Sequence, residues 1–117
     1  MPETNTAIEA GQVTAVIQEV VRLIAPVPSA VAADEDRLIH DLGFHSLALA
    51  ELGFTLEDLF SLDAVTPEQA MSLSTVGDIS TLIGMALAEN DATLPAVADV
   101  ASFCERYGAV WNPQGSP

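Results

Sequence analysis

The sequence predicts an all-α fold: a four-helix bundle of three longer helices and one short third helix, with a long loop between helices 1 and 2 and an extra C-terminal helix. First, apolar residues recur at intervals of three and four in several separate segments. Second, residues typical of helix starts precede two of these segments. Third, half of the 117 residues are apolar, which is enough for a compact core in a chain of this length.

Helix 1 is predicted over residues 7–25. Polar residues such as Thr14 and Arg22 lie opposite its apolar stripe, as expected for an amphipathic helix packed on a core. The stripe consists of Val13, Ile17, Val20 and Ile24. We expect Pro26 and Pro28 to end this helix, because proline cannot continue its hydrogen-bond ladder.

A long connection is predicted over residues 26–45. Connections of this length in compact domains usually serve a function or cross a bundle. The acidic run at 34–36 is interpreted as a solvated part of this loop. Leu38 and Ile39 are expected to insert into the core, and Gly43 marks a turn before the next helix.

Helix 2 is predicted from Ser46 to about Ser61. Its apolar side carries Leu49, Leu52, Leu56, Leu59 and Phe60. Gly53 lies inside this segment and costs about 1 kcal/mol relative to alanine. Thr55 and Asp58 have the spacing of a second helix start, so the pattern allows either one helix or a break here.

Two further helix starts follow. Thr66-Pro67-Glu68-Gln69 places a capping threonine before a proline at the first helical position, which predicts the short third helix. Thr75, with Asp78 three residues later, opens the predicted fourth helix. The expected core side of that helix is Val76, Ile79, Ile83 and Leu87.

The remainder of the chain is predicted to be an extension. We divide the sequence into a domain at residues 1–90 and a C-terminal extension at 91–117, with a helix at 95–107 and a frayed tail. Cys104 is interpreted as a small core residue. Three aromatic side chains are expected to pack back onto the bundle, although a docking element for one dedicated partner is an alternative: Phe103, Tyr107 and Trp111.

The charge balance excludes several classes of partner. Seventeen acidic residues against three arginines and no lysine give a formal net charge of −14. Such a chain repels nucleic acid and anionic membrane surfaces. It favours a partner with a basic face, although acidic residues also keep an apolar-rich domain in solution.

Other features indicate a cytoplasmic protein. The sequence shows no secretory signal and no apolar run long enough to cross a bilayer. A single cysteine excludes an intrachain disulfide, and two histidines with one cysteine do not form a metal site. We therefore expect a metal-free cytoplasmic monomer.

The segment with the most chemical information is Asp41-Leu42-Gly43-Phe44-His45-Ser46-Leu47. It places Ser46 in the first turn of a helix, directly after a loop that contains glycine. Unpaired amide groups and the positive end of the helix dipole favour a phosphate at that position. The plain alternative is that Ser46 only caps the helix, because serine is among the best N-cap residues.

This segment resembles the phosphopantetheine attachment motif of the acyl and peptidyl carrier protein family, in which a D-L-G-x-D-S-L type sequence carries the modified serine. Further landmarks follow in the family's order. Ala50-Glu51-Leu52 resembles V-E-L, and Phe60 stands at the usual phenylalanine near the end of helix 2. Val65-Thr66-Pro67-Glu68 resembles the start of helix 3, and Ser74-Thr75-Val76-Gly77-Asp78 resembles the T-V-G-D that opens helix 4. The similarity covers residues 7–88.

The resemblance implies a carrier-protein-like bundle that is not an enzyme. Its cofactor would be 4'-phosphopantetheine, moved from coenzyme A onto Ser46 by a phosphopantetheinyl transferase. Its other partners would be acyltransferases, ketosynthases or adenylation-type loading enzymes with basic docking faces. The residues implied in partner recognition are His45, Leu47, Ala50, Glu51, Phe54 and Asp58.

The motif leaves the cargo open. His45 stands where fatty-acid and polyketide carriers usually have aspartate, and it resembles the G-G-H-S-L of peptidyl carriers. Phe44 and Glu51 favour the polyketide type. We expect a discrete acyl carrier in polyketide or fatty-acid-like biosynthesis, with an aminoacyl or peptidyl carrier as the alternative. An unmodified helical interaction domain with the same fold is the alternative from another class.

Overall fold

The computed structural model describes residues 7–27, 32–62 and 72–111. These ranges contain four α-helices and no strand, which confirms the all-α fold. The helices are α1 (Val13–Ile24), α2 (Ser46–Phe60), α3 (Val76–Ala88) and α4 (Val97–Arg106). The predicted short helix at Thr66-Pro67-Glu68-Gln69 and the predicted frayed tail after Trp111 lie outside the described residues. Of the helices described, none combines the length and apolar character needed to cross a membrane.

Helix α1 is the centre of the bundle and contacts each of the other three helices. Val16, Ile17, Val20 and Val21 on this helix are completely buried. The expected start at residue 7 is wrong, since a 3-10 helix at Ala10–Gln12 precedes α1. The backbone before the 3-10 helix pairs with the segment that precedes α4 instead, because the Ile8 amide donates to the Pro95 carbonyl at 2.9 Å.

The loop between α1 and α2 is anchored by its own backbone to the start of α3. The Leu38 amide donates to the Ser74 carbonyl at 2.8 Å, and the Gly77 amide donates to the Asp34 carbonyl at the same distance. Leu38 is buried as expected. The expectation for Ile39 is wrong, because its side chain is 60% exposed. Consecutive side chains in this tight turn point apart, so only one of the pair reaches the core.

Helix α3 begins with the expected cap. The Thr75 hydroxyl accepts a hydrogen bond from the Asp78 amide at 3.1 Å, and the Asp78 carboxylate accepts from the Thr75 amide at 3.1 Å. Asp78 also accepts from the Ser74 amide at 2.9 Å. Hydrogen bonds from these two backbone amides lower the pKa of Asp78. This cap therefore fixes the end of α3 on which the long loop is anchored.

Helix α4 is the predicted extra C-terminal helix, and it belongs to the same core as α1. Val100, Phe103 and Cys104 are buried in that core. Burial raises the pKa of the Cys104 thiol, consistent with its interpretation as a core residue. The Thr93 amide donates to the Phe60 carbonyl at 2.7 Å and so joins the segment before α4 to the end of α2. The division at residue 90 stays a prediction.

Candidate site of modification and docking

Ser46 is the first residue of α2, and it is exposed. The residue before it, His45, has extended backbone angles (φ −130°, ψ −179°) and occupies the N-cap position. His45 makes no side-chain capping bond. The alternative of Ser46 as the capping residue does not match this geometry, because a cap residue lies outside the helical turn.

The start of α2 suits an anionic group on Ser46. The Leu49 amide donates to the His45 carbonyl at 2.8 Å, so the ladder of the helix begins there. The amides of Ser46, Leu47 and Ala48 come before this first bond and point out of the N-terminal end of the helix. The helix dipole also favours negative charge at that end. The first turn of α2 carries no acidic residue. A phosphodiester at Ser46 would therefore be stabilised by the backbone rather than repelled by a neighbour on its own helix.

Gly43 shapes the turn that leads into α2. Its φ is +75°, a left-handed conformation that residues with a side chain rarely adopt. A Cβ at this position would lie 2.5 Å from Cγ2 of Val27. The beginning and the end of the loop are also joined directly, because the Val27 amide donates to the Leu42 carbonyl at 3.1 Å. The glycine therefore permits the close approach that places Phe44 and Ser46.

A second contact closes the same turn. The Asp41 carboxylate accepts a hydrogen bond from the Arg37 amide at 2.8 Å, and the Arg37 guanidinium lies 3.4 Å from the same oxygen. The bond from the Arg37 amide is the main reason why the pKa of Asp41 is lowered. Both side chains are exposed, so their ion pair contributes little to the free energy of unfolding. Its effect is to define the loop geometry next to Leu42 and Phe44.

All six residues implied in partner recognition are exposed. Leu47 is 75% exposed and Phe54 is 72% exposed, which is unusual for large apolar side chains. The other four, also exposed, are His45, Ala50, Glu51 and Asp58. The opposite side of α2 holds Ala48, Leu52, Leu56, Leu59 and Phe60 in the core. Helix α2 continues through Gly53 without a break, so the possible second start at Thr55 is not used.

The structure adds one contact to this face that sequence reasoning missed. The Tyr107 hydroxyl, just beyond α4, donates a hydrogen bond to Oε2 of Glu51 on α2. Partial burial and this bond raise the pKa of Tyr107 to about 12. The Tyr107 ring also packs on Phe103, with ring centroids 4.9 Å apart. The aromatic residues of the extension do pack back onto the bundle, and one of them reaches the recognition face.

A second missed feature is an apolar cavity of about 550 Å³. It lies between the long loop, α2 and α3, and Leu49 on the first turn of α2 contributes to its wall. At 1.5 Å per residue, Leu49 lies about 4–5 Å along the helix from Ser46. Other apolar side chains of the wall are Leu38, Ile39, Ala50, Leu52, Phe54, Leu56, Leu62, Leu73, Ile79, Leu82 and Ile83. The cavity could have been suspected only from the density of leucines in α2.

Within the described ranges, no group of three or more His, Cys, Asp or Glu side chains could hold a metal ion. His40 and His45 are both exposed. The described side chains at this site place an exposed hydroxyl at a helix N-terminus, next to an apolar and acidic helix face.

Comparison with known proteins agrees with this geometry. A family model described as "Phosphopantetheine attachment site" matches residues 12–83, which is more than half of the chain. The match confirms the resemblance stated above, and it includes Ser46, the long loop and most of α3. Members of this family carry covalently attached 4'-phosphopantetheine, are modified by phosphopantetheinyl transferases and interact with biosynthetic enzymes. No curated protein matches the chain.

Proposed function

Since the chain belongs to the family of phosphopantetheine-attachment carrier proteins, we propose that it carries acyl intermediates on an arm attached to Ser46, in polyketide or fatty-acid-like biosynthesis. The observation that supports Ser46 is its exposed position at the start of α2, preceded by an extended residue and free of acidic neighbours on the first turn. The arm's terminal thiol would hold the cargo as a thioester.

The modification step requires from this chain only a nucleophilic oxygen and a site that accepts a phosphodiester. The Ser46 oxygen forms a bond to the β-phosphorus of coenzyme A while the bond between the two phosphates breaks. Adenosine 3',5'-bisphosphate leaves, and the hydroxyl proton passes to a base on the transferase. The chain contributes an accessible oxygen and helix amides that favour the new phosphodiester charge. The transferase catalyses formation of the phosphodiester, and the enzymes that load and use the cargo catalyse the later steps.

The apolar cavity is an argument for acyl rather than aminoacyl cargo. Leu49, one turn from Ser46, is part of its wall. Leucine and isoleucine make up most of that wall, next to four polar or charged residues, and favour an alkyl chain over a charged amino group. His45 before Ser46 supports the alternative of an aminoacyl or peptidyl cargo, because of its resemblance to the peptidyl carrier motif. An interaction domain that is never modified would need no exposed hydroxyl at this helix start.

Intact mass tests the attachment site. The purified chain is incubated with coenzyme A and a phosphopantetheinyl transferase of broad specificity. We expect a gain of one phosphopantetheinyl group in the wild type and none in Ser46→Ala. Thr14→Ala, which removes an exposed hydroxyl on α1, is the matched control and should be modified like the wild type. No gain in the wild type, or an unchanged gain in Ser46→Ala, would refute the proposal.

Thermal unfolding tests the cargo. Acyl groups of increasing chain length are attached to the arm, and the Tm is compared with that of the unacylated chain. If alkyl chains enter the cavity, the Tm should rise with chain length, whereas an aminoacyl group should leave it unchanged. A rise with the aminoacyl group alone would favour the peptidyl alternative.

A further inference from the structure

A groove lies between α2 and α4, next to the cavity described above, and Phe54 contributes to the walls of both. Its wall is formed by Phe54, Thr55, Asp58 and Leu59 on α2 and by Asp99, Ser102, Glu105 and Arg106 on α4. We call it the α2–α4 groove. Helix α4 lies beyond residues 12–83, so one wall comes from a part of the chain that the family match does not cover.

The α2–α4 groove is acidic with one exposed aromatic side chain. It has three carboxylates, at Asp58, Asp99 and Glu105, against one guanidinium at Arg106. The Arg106 guanidinium lies 5.8 Å from the centre of the Phe103 ring, so it is directed partly toward its own helix. The ion pairs found among the described residues lie elsewhere, in α1 and in the long loop. Phe54 adds a large apolar surface to the same wall.

Helix α4 is held in place beside α2, so the groove is formed before any partner binds. Phe103 and Cys104 anchor α4 in the core, and the Thr93 amide bonds to the Phe60 carbonyl. The Tyr107 hydroxyl donates to Glu51, which ties the end of α4 to the middle of α2. A preformed surface binds with a smaller loss of conformational entropy than one that must be ordered.

We propose that the α2–α4 groove is a docking site for a basic segment of a partner enzyme, with Phe54 as the apolar anchor. Arginine or lysine side chains of that segment would face Asp58, Asp99 and Glu105, because opposite charges give specificity and fast association. Helix α4 would then decide which enzyme binds, in addition to the exposed residues of α2. The identity of the partner as a biosynthetic enzyme rests on the proposed function.

The test uses a synthetic amphipathic helical peptide, with three arginines and one leucine on one face, added to the ¹⁵N-labelled full chain at about 0.15 M salt. We expect the largest shift changes in the backbone amides of Phe54, Asp58, Ser102 and Glu105. In Asp99→Asn/Glu105→Gln, peptide binding should weaken about 3- to 10-fold, as expected for two exposed charge contacts.

A charge-matched variant separates docking from general attraction. Glu35→Gln/Asp91→Asn removes the same charge at exposed sites outside the groove and should change the Kd less than twofold. Phe54→Ala should weaken binding about tenfold if the ring is the anchor. Equal weakening in both double variants, or shift changes spread over the acidic loop at 34–36, would overturn the proposal. The mass assay on the wild type separately tests the proposed function, since peptide binding does not require modification of Ser46.

Discussion

Replacing Gly43 by alanine tests how the loop holds Ser46. The left-handed conformation at φ +75° costs a residue with a side chain roughly 1–2 kcal/mol. The new Cβ would lie 2.5 Å from Cγ2 of Val27, a β-branched residue that is stiff at χ1. Moving such a side chain off its rotamer costs about 0.5–1.5 kcal/mol. The reduced freedom of the unfolded chain offsets about 0.4–1 kcal/mol.

These contributions predict that Gly43→Ala lowers the free energy of unfolding by about 2 kcal/mol. The assay is urea unfolding followed by the fluorescence of Trp111, the single tryptophan. The midpoint should fall while the slope stays the same, since the unfolded surface hardly changes.

Gly84→Ala is the matched control for this experiment. Gly84 is exposed within α3, and a Cβ there would meet no atom within 4 Å. The same substitution should therefore raise the free energy of unfolding by about 0.5–1 kcal/mol. If Gly43→Ala were as stable as the wild type or more so, the account of the turn before Ser46 would be wrong.

Three further changes have expected outcomes. Phe60→Ala should lower the free energy of unfolding by about 3–5 kcal/mol, measured in urea, because this ring is completely buried. Thr75→Ala should cost about 1 kcal/mol in the same assay, because the Asp78 amide loses its cap. Tyr107 is the single tyrosine, so its absorbance reports its own pKa, which should be about 12. In Glu51→Gln this pKa should fall but stay above the ordinary value of tyrosine, because burial, the larger cause, remains.

Each of these predictions has a control or a contrary outcome. Phe54→Ala makes the same change on the exposed side of α2 and should alter stability by less than about 0.5 kcal/mol. Thr81→Ala removes an exposed hydroxyl within α3 and should cost less than Thr75→Ala. A Tyr107 titration that is unchanged in Glu51→Gln would show that burial alone raises the pKa.

The raised pKa of Tyr107 also gives a pH dependence. Its value is higher in the folded chain than in the unfolded chain, so the folded state holds its proton more tightly. The resulting stabilisation is complete below about pH 10 and is lost as the pH rises toward 12. Tyr107 is 38% exposed, so the effect should be small, and Tyr107→Phe should remove it.

Local pattern was sufficient for the existence of the four described helices and for the position of Ser46, although it placed the start of α1 too early. The capping pair Thr75 and Asp78 acts within one turn, so neighbouring residues alone specify it. The apolar period of α1 specifies its buried side for the same reason. Ser46 could be placed at a helix start because the glycine-containing turn and the leucines after it lie within a few residues.

Features that join distant parts of the chain required the tertiary structure. Ile39 and Leu38 look alike in sequence, and only the anchoring of the loop on α3 decides that one is exposed and the other buried. Continuity of α2 through Gly53 depends on the core contacts of its buried side, which outweigh a local propensity. Glu51 and Tyr107 are 56 positions apart, and no periodicity within either helix indicates that they meet. Periodicity shows which side of a helix is apolar, but the element that covers it is chosen by packing of the whole chain.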